Sequence, residues 1–236
     1  MDKTNPACPN YVDPCLATTE FESDFVMEQR VSSPDTYFEV RSFVLSNSPL
    51  RLRINTPADS VKWIIGADII EANEYTFTFP EEFEGQTLPL TMITRGTPNS
   101  DCFPNDNGRD TVTKYVRVIS RDEAPIFGTF RIAKSTAPLD SFDVYLNYVD
   151  DGFDWYYEFD NLIPSEYYCV RHFPDVICNA TKLEIRNSVI LPCWGIKGVF
   201  EIDENNRFTA DFSHVISIDP INSDRIEVHA SGRKLE

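Results

Sequence analysis

The chain lacks several features that would assign it to a familiar class. No apolar run approaches the ~20 residues that span a bilayer, and no basic-then-apolar segment of the signal-peptide type opens the sequence. Glycine is scarce, with 9 copies, and there is no low-complexity tract, which argues against a disordered chain. Only 3 histidines are present, His172, His214 and His229, and their spacing does not supply the i, i+4 helical pair of a metal site.

Motifs of the common catalytic sites are also missing. There is no Gly-x-Ser-x-Gly nucleophile elbow, no phosphate loop, no dinucleotide-binding fingerprint and no Cys-x-x-Cys pair. Basic residues are few: 21 against 38 acidic ones give a net charge of -17, which repels phosphate backbones and anionic membrane surfaces. We therefore expect a protein that is not an enzyme, holds no metal and does not bind nucleic acid.

The chain does contain many short runs rich in Val, Ile, Phe, Tyr and Thr, with the period-two alternation of β-strands. With 42% hydrophobic residues it can bury a core, and no segment sustains helical periodicity. We predict an all-β protein in which the polar segment 120–125 separates two regions. A proline-rich, extended tether at residues 1–21 precedes a β-sandwich at residues 22–120, and residues 125–236 form a second antiparallel β domain.

One stretch of the first region is especially informative. In Trp63-Ile64-Ile65-Gly66-Ala67-Asp68 an aromatic residue in a strand is followed closely by a glycine turn. Together with the strand-like segments 75–79, 88–93 and 111–118, this stretch resembles a PKD-type, immunoglobulin-like β-sandwich module. The family usually has Gly-Asp-Gly after the tryptophan, and this chain departs from that pattern. The resemblance implies a buried Trp63 and a non-catalytic spacer or binding domain displayed outside the cytoplasm.

The loop at residues 94–110 is long and contains a cysteine, and it is similar to PKD-like modules in surface lipoproteins of Bacteroidetes-type bacteria. The chain has an even set of six cysteines, which suits an oxidising periplasm or exterior better than a cytosol. We expect Cys15 to pair with Cys102 and tie the tail to this loop. Two of Cys169, Cys178 and Cys193 are expected to pair locally, and the partners of the third and of Cys8 stay open.

The second region carries about eight predicted strands, with hairpin turns at Asp150-Asp151-Gly152 and Glu204-Asn205-Asn206. This number of antiparallel strands fits either a second sandwich or a small up-and-down barrel. The segments 128–130 and 198–212 resemble lipocalin-like barrels.

Two acidic turns, at residues 105–110 and 150–154, gather several oxygen ligands of the kind that calcium prefers. Neither fits an EF-hand, because Phe103 stands where the first would need an acid. Ordinary turns with solvated carboxylates are the favoured interpretation, and calcium is the alternative to an absence of cofactors.

Aromatic residues cluster at residues 153–159 in both phases of one strand, so they cannot all face one core. An exposed ring beside a carboxylate can stack on a sugar and accept hydrogen bonds from its hydroxyl groups. The candidate ligand-binding residues are Trp155, Tyr156, Tyr157, Trp194, Asp151, Asp154 and Glu158. The favoured interpretation is that the odd-numbered rings Phe153, Trp155, Tyr157 and Phe159 fill the core.

These observations favour a non-catalytic, exported lipoprotein of the cell surface or periplasm that acts as a protein- or glycan-interaction module. Export requires a signal peptide, and membrane contact requires an N-terminal lipid anchor; the hypothesis places both before Asp2. The alternatives are a hydrolase with its site in the second β domain and a structural accessory subunit of an outer-membrane complex.

Overall fold

The computed structural model describes residues 13–30, 36–150, 155–163, 166–171, 176–185, 196–215 and 225–235. The protein is all-β, as predicted. Two 3-10 helices lie at Pro14–Ala17 and Glu81–Phe83. No helix in these ranges has the length and hydropathy needed to cross a membrane.

The first region contains nine strands within the described residues, numbered in chain order. They are β1 (Phe25–Arg30), β2 (Tyr37–Val40), β3 (Phe43–Leu45), β4 (Pro49–Ile54), β5 (Ser60–Ile65), β6 (Asp68–Glu71), β7 (Glu74–Thr78), β8 (Thr87–Arg95) and β9 (Arg109–Ile119). A four-stranded sheet has the order β2-β1-β4-β7, and a five-stranded sheet has the order β3-β9-β8-β5-β6. The short strand β3 pairs with β9 in parallel.

The second region adds nine further strands in the described ranges. They are β10 (Gly128–Lys134), β11 (Ala137–Asp150), β12 (Trp155–Ile163), β13 (Glu166–Arg171), β14 (Val176–Cys178), β15 (Lys182–Ile185), β16 (Ile196–Ile202), β17 (Arg207–Val215) and β18 (Arg225–Lys234). All of them belong to one sheet of order β13-β12-β11-β10-β18-β17-β16-β15-β14, which forms a half-barrel.

The chain divides into two compact units. Unit 1 consists of Met1–Met27, Arg51–Thr76 and Thr87–Val116, and unit 2 of Glu28–Leu50, Phe77–Gln86 and Arg117–Glu236. The boundary predicted at residues 120–125 stays a prediction.

Trp63 is the core anchor of unit 1, which confirms the prediction for this residue. Its side chain has no exposed surface, and its ring meets that of Phe25 edge-on, with 5.2 Å between centroids. The indole Nε1 donates to the carbonyl of Ala72 over 2.8 Å, so the one polar atom of the side chain is satisfied. The immediate turn at Gly66 is also confirmed: its φ is +60°, and Ile65 pairs with Asp68 across a two-residue hairpin loop.

The nine-stranded sheet of unit 2 buries one of its sides under aromatic rings. Phe130 and Phe208 stack with 4.1 Å between centroids, and Phe200 continues the cluster towards Phe159 at 5.1 Å. All four rings have no exposed surface. This side is therefore a packed hydrophobic core.

The predicted turn at Glu204-Asn205-Asn206 joins β16 to β17. The Asp203 carboxylate accepts hydrogen bonds from the backbone N–H groups of Asn205 and Arg207, and Asn206 adopts a φ of +59°. The hairpin prediction is confirmed here, because Asp and Asn supply the acceptor and the left-handed conformation that the turn requires.

Candidate functional site

The predicted disulfide between Cys15 and Cys102 is present and joins residues 87 positions apart. Cys178 is a buried free thiol, and its pKa is raised to about 11 by burial. A local pair can therefore join only Cys169 and Cys193, whose side chains lie outside the described residues, as does Cys8.

The acidic loop before β9 fastens the N-terminal segment to unit 1. Both carboxylate oxygens of Asp106 accept backbone hydrogen bonds, from Asn99 at 2.7 Å, Gly108 at 2.8 Å and Phe21 at 3.0 Å. These donors, that of Asn99 first, lower the pKa of Asp106 below its usual range. The Phe21 ring also covers Gly96, where a Cβ atom would lie 2.2 Å from the ring.

Asp110, the second acid of the predicted acidic turn 105–110, lies at the start of β9 and accepts hydrogen bonds from the N–H and hydroxyl of Ser23 at 2.7 and 3.0 Å. The described residues contain no group of three or more His, Cys, Asp or Glu side chains that could hold a metal ion. Calcium at this loop would have to displace the N–H donors of Asp106 and Asp110, so the two acids serve as tethers for the tail. The second acidic turn, 150–154, falls outside the described residues except for the backbone of Asp150.

Most residues of the predicted sugar-stacking site fall outside the described part of the chain. Asp151, Asp154 and Trp194 lie outside the described residues. Trp155 and Tyr156 belong to β12, but their side chains are also outside the described part of the chain.

Tyr157 and Glu158 are the two members of that set whose side chains are described. Tyr157 is 1% exposed and stacks on Phe127 with 5.8 Å between ring centroids, whereas Glu158 is half-buried. The Tyr157 hydroxyl accepts a hydrogen bond from Arg121 at 3.0 Å, and burial raises its pKa well above the usual value. Its ring is thus part of the core of unit 2 and is not available for stacking on a ligand.

The pKa values of Asp106 and Asp143 are both displaced downward. The pKa is lowered in Asp106 by the backbone donors above and in Asp143 by the guanidinium of Arg131, which binds it through two hydrogen bonds of 2.7 and 2.9 Å. A general acid that works near neutral pH needs the opposite displacement. These carboxylates therefore act as structural anions.

The five-stranded sheet carries a distinctive surface in unit 1, which we call the outer face. Its side chains alternate along β5, β6, β8 and β9 with buried residues such as Val61, Trp63 and Met92. The outer face consists of Ser60, Lys62, Ile64, Ile69, Glu71, Thr91, Ile93, Arg95, Arg109, Thr111, Thr113 and Tyr115. Strand pairing sets these residues in rows, and the hydroxyl oxygens of Thr91 and Thr113 lie 2.8 Å apart across β8 and β9.

The outer face combines apolar and cationic groups. Ile69 and Tyr115 are each 63% exposed. Three basic side chains are present against the single acid Glu71, which pairs with Lys62 at 3.0 Å. In a chain with 38 acidic and 21 basic residues, this surface reverses the general balance of charge.

Arg95 and Arg109 face each other at one end of the outer face. The N–H of Gly96 donates to the carbonyl of Gly108 over 2.9 Å, which, with the threonine contact, aligns β8 against β9 so that the two arginines are opposite. Ser60 pairs with Arg95 from the other side. Neither guanidinium has a hydrogen-bond or ion-pair partner among the described residues.

A cavity of about 700 Å³ opens beside this arginine pair. Both guanidinium-bearing residues line it, together with Ser60, Lys62 and Asn73, and its volume lies in the range of ligand sites. The arrangement can bind an anionic group, because two planar guanidinium groups offer hydrogen-bond donors that match carboxylate geometry.

A second cavity of about 630 Å³ lies in unit 2 and has the opposite charge. Acidic residues outnumber basic ones in its lining, with Glu39, Glu201, Asp203 and Glu204 against Arg41 and Lys182. The Lys182 ammonium lies 4.8 Å from the ring centroid of Phe38 and is ion-paired with Glu201. The Lys182 ammonium thus occupies one face of the Phe38 ring, so this ring is a poor platform for a sugar.

Sequence reasoning missed the arginine pair. Arg95 and Arg109 lie at the two ends of the long loop 94–110. The available signal was the placement of these two basic residues, each two positions from a strand-like segment, 88–93 or 111–118, in an otherwise acidic chain.

Comparison with known proteins assigns no family. No protein-family model matches the chain, and neither a curated protein nor a solved structure matches it. The PKD resemblance therefore stays a prediction.

Proposed function

We propose that the protein is a non-catalytic, exported interaction module that docks a partner protein on the outer face of unit 1. The observation that carries the proposal is the composition of this face, which exposes Tyr115 and Ile69 and also carries Arg95 and Arg109, in a chain of net charge -17. Protein interfaces are enriched in tyrosine and arginine and depleted in acidic side chains.

The geometry of the outer face supports protein docking over sugar binding. Ile64 and Ile69 are paired across β5 and β6, and Lys62 is paired with Ile93 across β5 and β8, so apolar groups from several strands share the surface. Apolar residues that share one surface mark protein interaction sites more often than apolar residues scattered singly. A partner that covered these residues would remove them from water, which is the main favourable term in association.

The compartment and the family belong to the same proposal. The Cys15–Cys102 disulfide supports an oxidising environment, where such bonds persist. The setting of a surface or periplasmic lipoprotein with a PKD-type module follows from the sequence resemblance.

Partner capture with matched variants tests the function. The purified protein is immobilised and exposed to an envelope extract of its source cells, and retained proteins are identified by mass spectrometry. The test variant is Tyr115→Ser/Ile69→Ser. The control is Leu139→Ser, which changes a residue that is 96% exposed in unit 2.

We expect wild type and Leu139→Ser to retain the same protein in stoichiometric amount and the double variant to lose it. Hot-spot truncations of this kind cost about 2 kcal/mol or more, a roughly thirtyfold loss of affinity. Equal retention by all three proteins would reject docking on the outer face. Retention of a polysaccharide in place of a protein would favour the glycan alternative.

A further inference from the structure

We propose that Arg95 and Arg109 form a carboxylate clamp that receives Asp or Glu side chains of the partner protein in the cavity beside them. This inference deepens the proposed function and rests on it, because it names the chemistry that the partner must present to the outer face.

The electrostatics of the pair call for an anion. Like charges directly opposite each other on neighbouring strands destabilise a sheet. Asp110, which follows Arg109 in the sequence, directs its carboxylate to Ser23 and the N–H of Thr111 and so does not relieve the repulsion. A bound anion would neutralise both guanidinium groups at once.

The neighbouring groups favour a carboxylate. Guanidinium and carboxylate are both planar and form two parallel hydrogen bonds, so two arginines side by side can hold one carboxylate or two adjacent ones. Lys62 is already paired with Glu71 at 3.0 Å, and this leaves the arginines as the principal donors of the cavity. Ser60, next to Arg95, adds a hydroxyl donor.

An acidic protein segment fits this surface better than an acidic sugar chain. Ile93 and the buried Val61 also line the cavity, and the outer face beyond it carries Ile64 and Ile69. Apolar side chains of a protein partner can cover these residues, whereas a hydroxyl-rich sugar would lose hydrogen bonds with water there.

The clamp is tested by calorimetric titration of the purified chain at low ionic strength. The probes are an end-blocked hexaglutamate peptide, the matched hexaglutamine peptide and hexagalacturonate, which carries the same number of carboxylates on a sugar. The test variant is Arg95→Gln/Arg109→Gln.

A matched control is available in unit 2. Arg207 and Arg233 are also exposed and are paired across β17 and β18. Arg207→Gln/Arg233→Gln thus removes two facing arginines and changes the net charge equally, at a place outside the proposed site.

We expect hexaglutamate to bind wild type and the control variant with similar Kd, and the test variant to bind at least about tenfold more weakly. Hexaglutamine should not bind, and added salt should weaken the hexaglutamate interaction. Hexaglutamate should raise the Tm of wild type but not that of the test variant. Without peptide, the Tm of the test variant should not lie below that of wild type, because the substitutions remove a repulsive pair.

Absence of hexaglutamate binding to wild type, or equal losses in both double variants, would overturn the clamp. Tighter binding of hexagalacturonate than of hexaglutamate would overturn the assignment to an acidic protein segment. In the capture experiment above, loss of the partner with Tyr115→Ser/Ile69→Ser but full retention with Arg95→Gln/Arg109→Gln would reject the clamp and leave the proposed function standing. Retention by both variants would reject the proposed function itself.

Discussion

Replacing both cysteines of the Cys15–Cys102 disulfide by serine should strongly destabilise unit 1. The bond closes a chain segment of 87 residues. In the chain-entropy model, opening a loop of this length releases about 15 cal/mol/K in the unfolded state, or about 4.6 kcal/mol at 25 °C. The hydrogen bonds that Asp106 and Asp110 make to the tail act in the folded state and do not reduce this difference.

Urea unfolding followed by tryptophan fluorescence measures the effect. Trp63 is the tryptophan of unit 1, so a Trp155→Phe/Trp194→Phe background makes its emission report on that unit alone. With a urea slope of about 2 kcal/mol/M, the loss shifts the midpoint down by about 2.3 M.

The control is Cys178→Ser, which changes a free thiol in unit 2 and should leave the Trp63 midpoint in place. A disulfide-free variant with the wild-type midpoint would refute the reasoning that the bond acts by limiting the unfolded chain.

Three further substitutions test the core and the tail contacts. Trp63→Ala should cost about 3–5 kcal/mol through the cavity it leaves, measured by circular dichroism during urea unfolding; a cost below 1 kcal/mol would contradict its place as anchor. Backbone donors, that of Asn99 first, lower the pKa of Asp106 in the folded state below its ordinary value of 3.8. The Asp106 carboxylate therefore stabilises the fold fully above about pH 3.8, and this stabilisation is lost as the pH falls through the pKa of the folded state. The stability difference between wild type and Asp106→Asn should therefore shrink in acid, and a difference that does not vary with pH would count against this contribution. Tyr157→Phe removes an acceptor of Arg121 and should cost unit 2 about 1–2 kcal/mol in thermal unfolding, whereas an unchanged Tm would show that this hydrogen bond adds nothing.

Local patterns were sufficient to predict much of the fold. The predicted segments 75–79, 88–93 and 111–118 match β7, β8 and β9 to within two residues at either end, because a strand with one buried side must alternate. The short strands β3 and β6 were not predicted, because their three and four residues are too few for an alternating pattern to stand out. They are strands because their neighbours β9 and β5 offer backbone partners.

Local sequence patterns were not sufficient to predict the candidate site. The sequence favoured burial of the odd-numbered rings of the aromatic strand β12, but it also left Tyr157 as a candidate for the ligand site. Strand pairing decides this: Tyr157 pairs with Tyr148 of β11, and Tyr157 is buried. A shift of one residue in the pairing would have exchanged the two sides of the strand.

The sequence by itself determined the all-β class, the burial of Trp63, the turn at Gly66 and the pairing of Cys15 with Cys102. The class came from period-two alternation, the anchor and its turn from the stretch Trp63 to Asp68, and the disulfide from a cysteine in a long loop beside a proline-rich tail. Only the tertiary structure decided that Arg95 and Arg109 face each other and that Asp106 holds the backbone of Phe21, 85 residues away. Such contacts depend on the register between strands and on backbone donors from distant segments, and those are settled only when the sheets assemble.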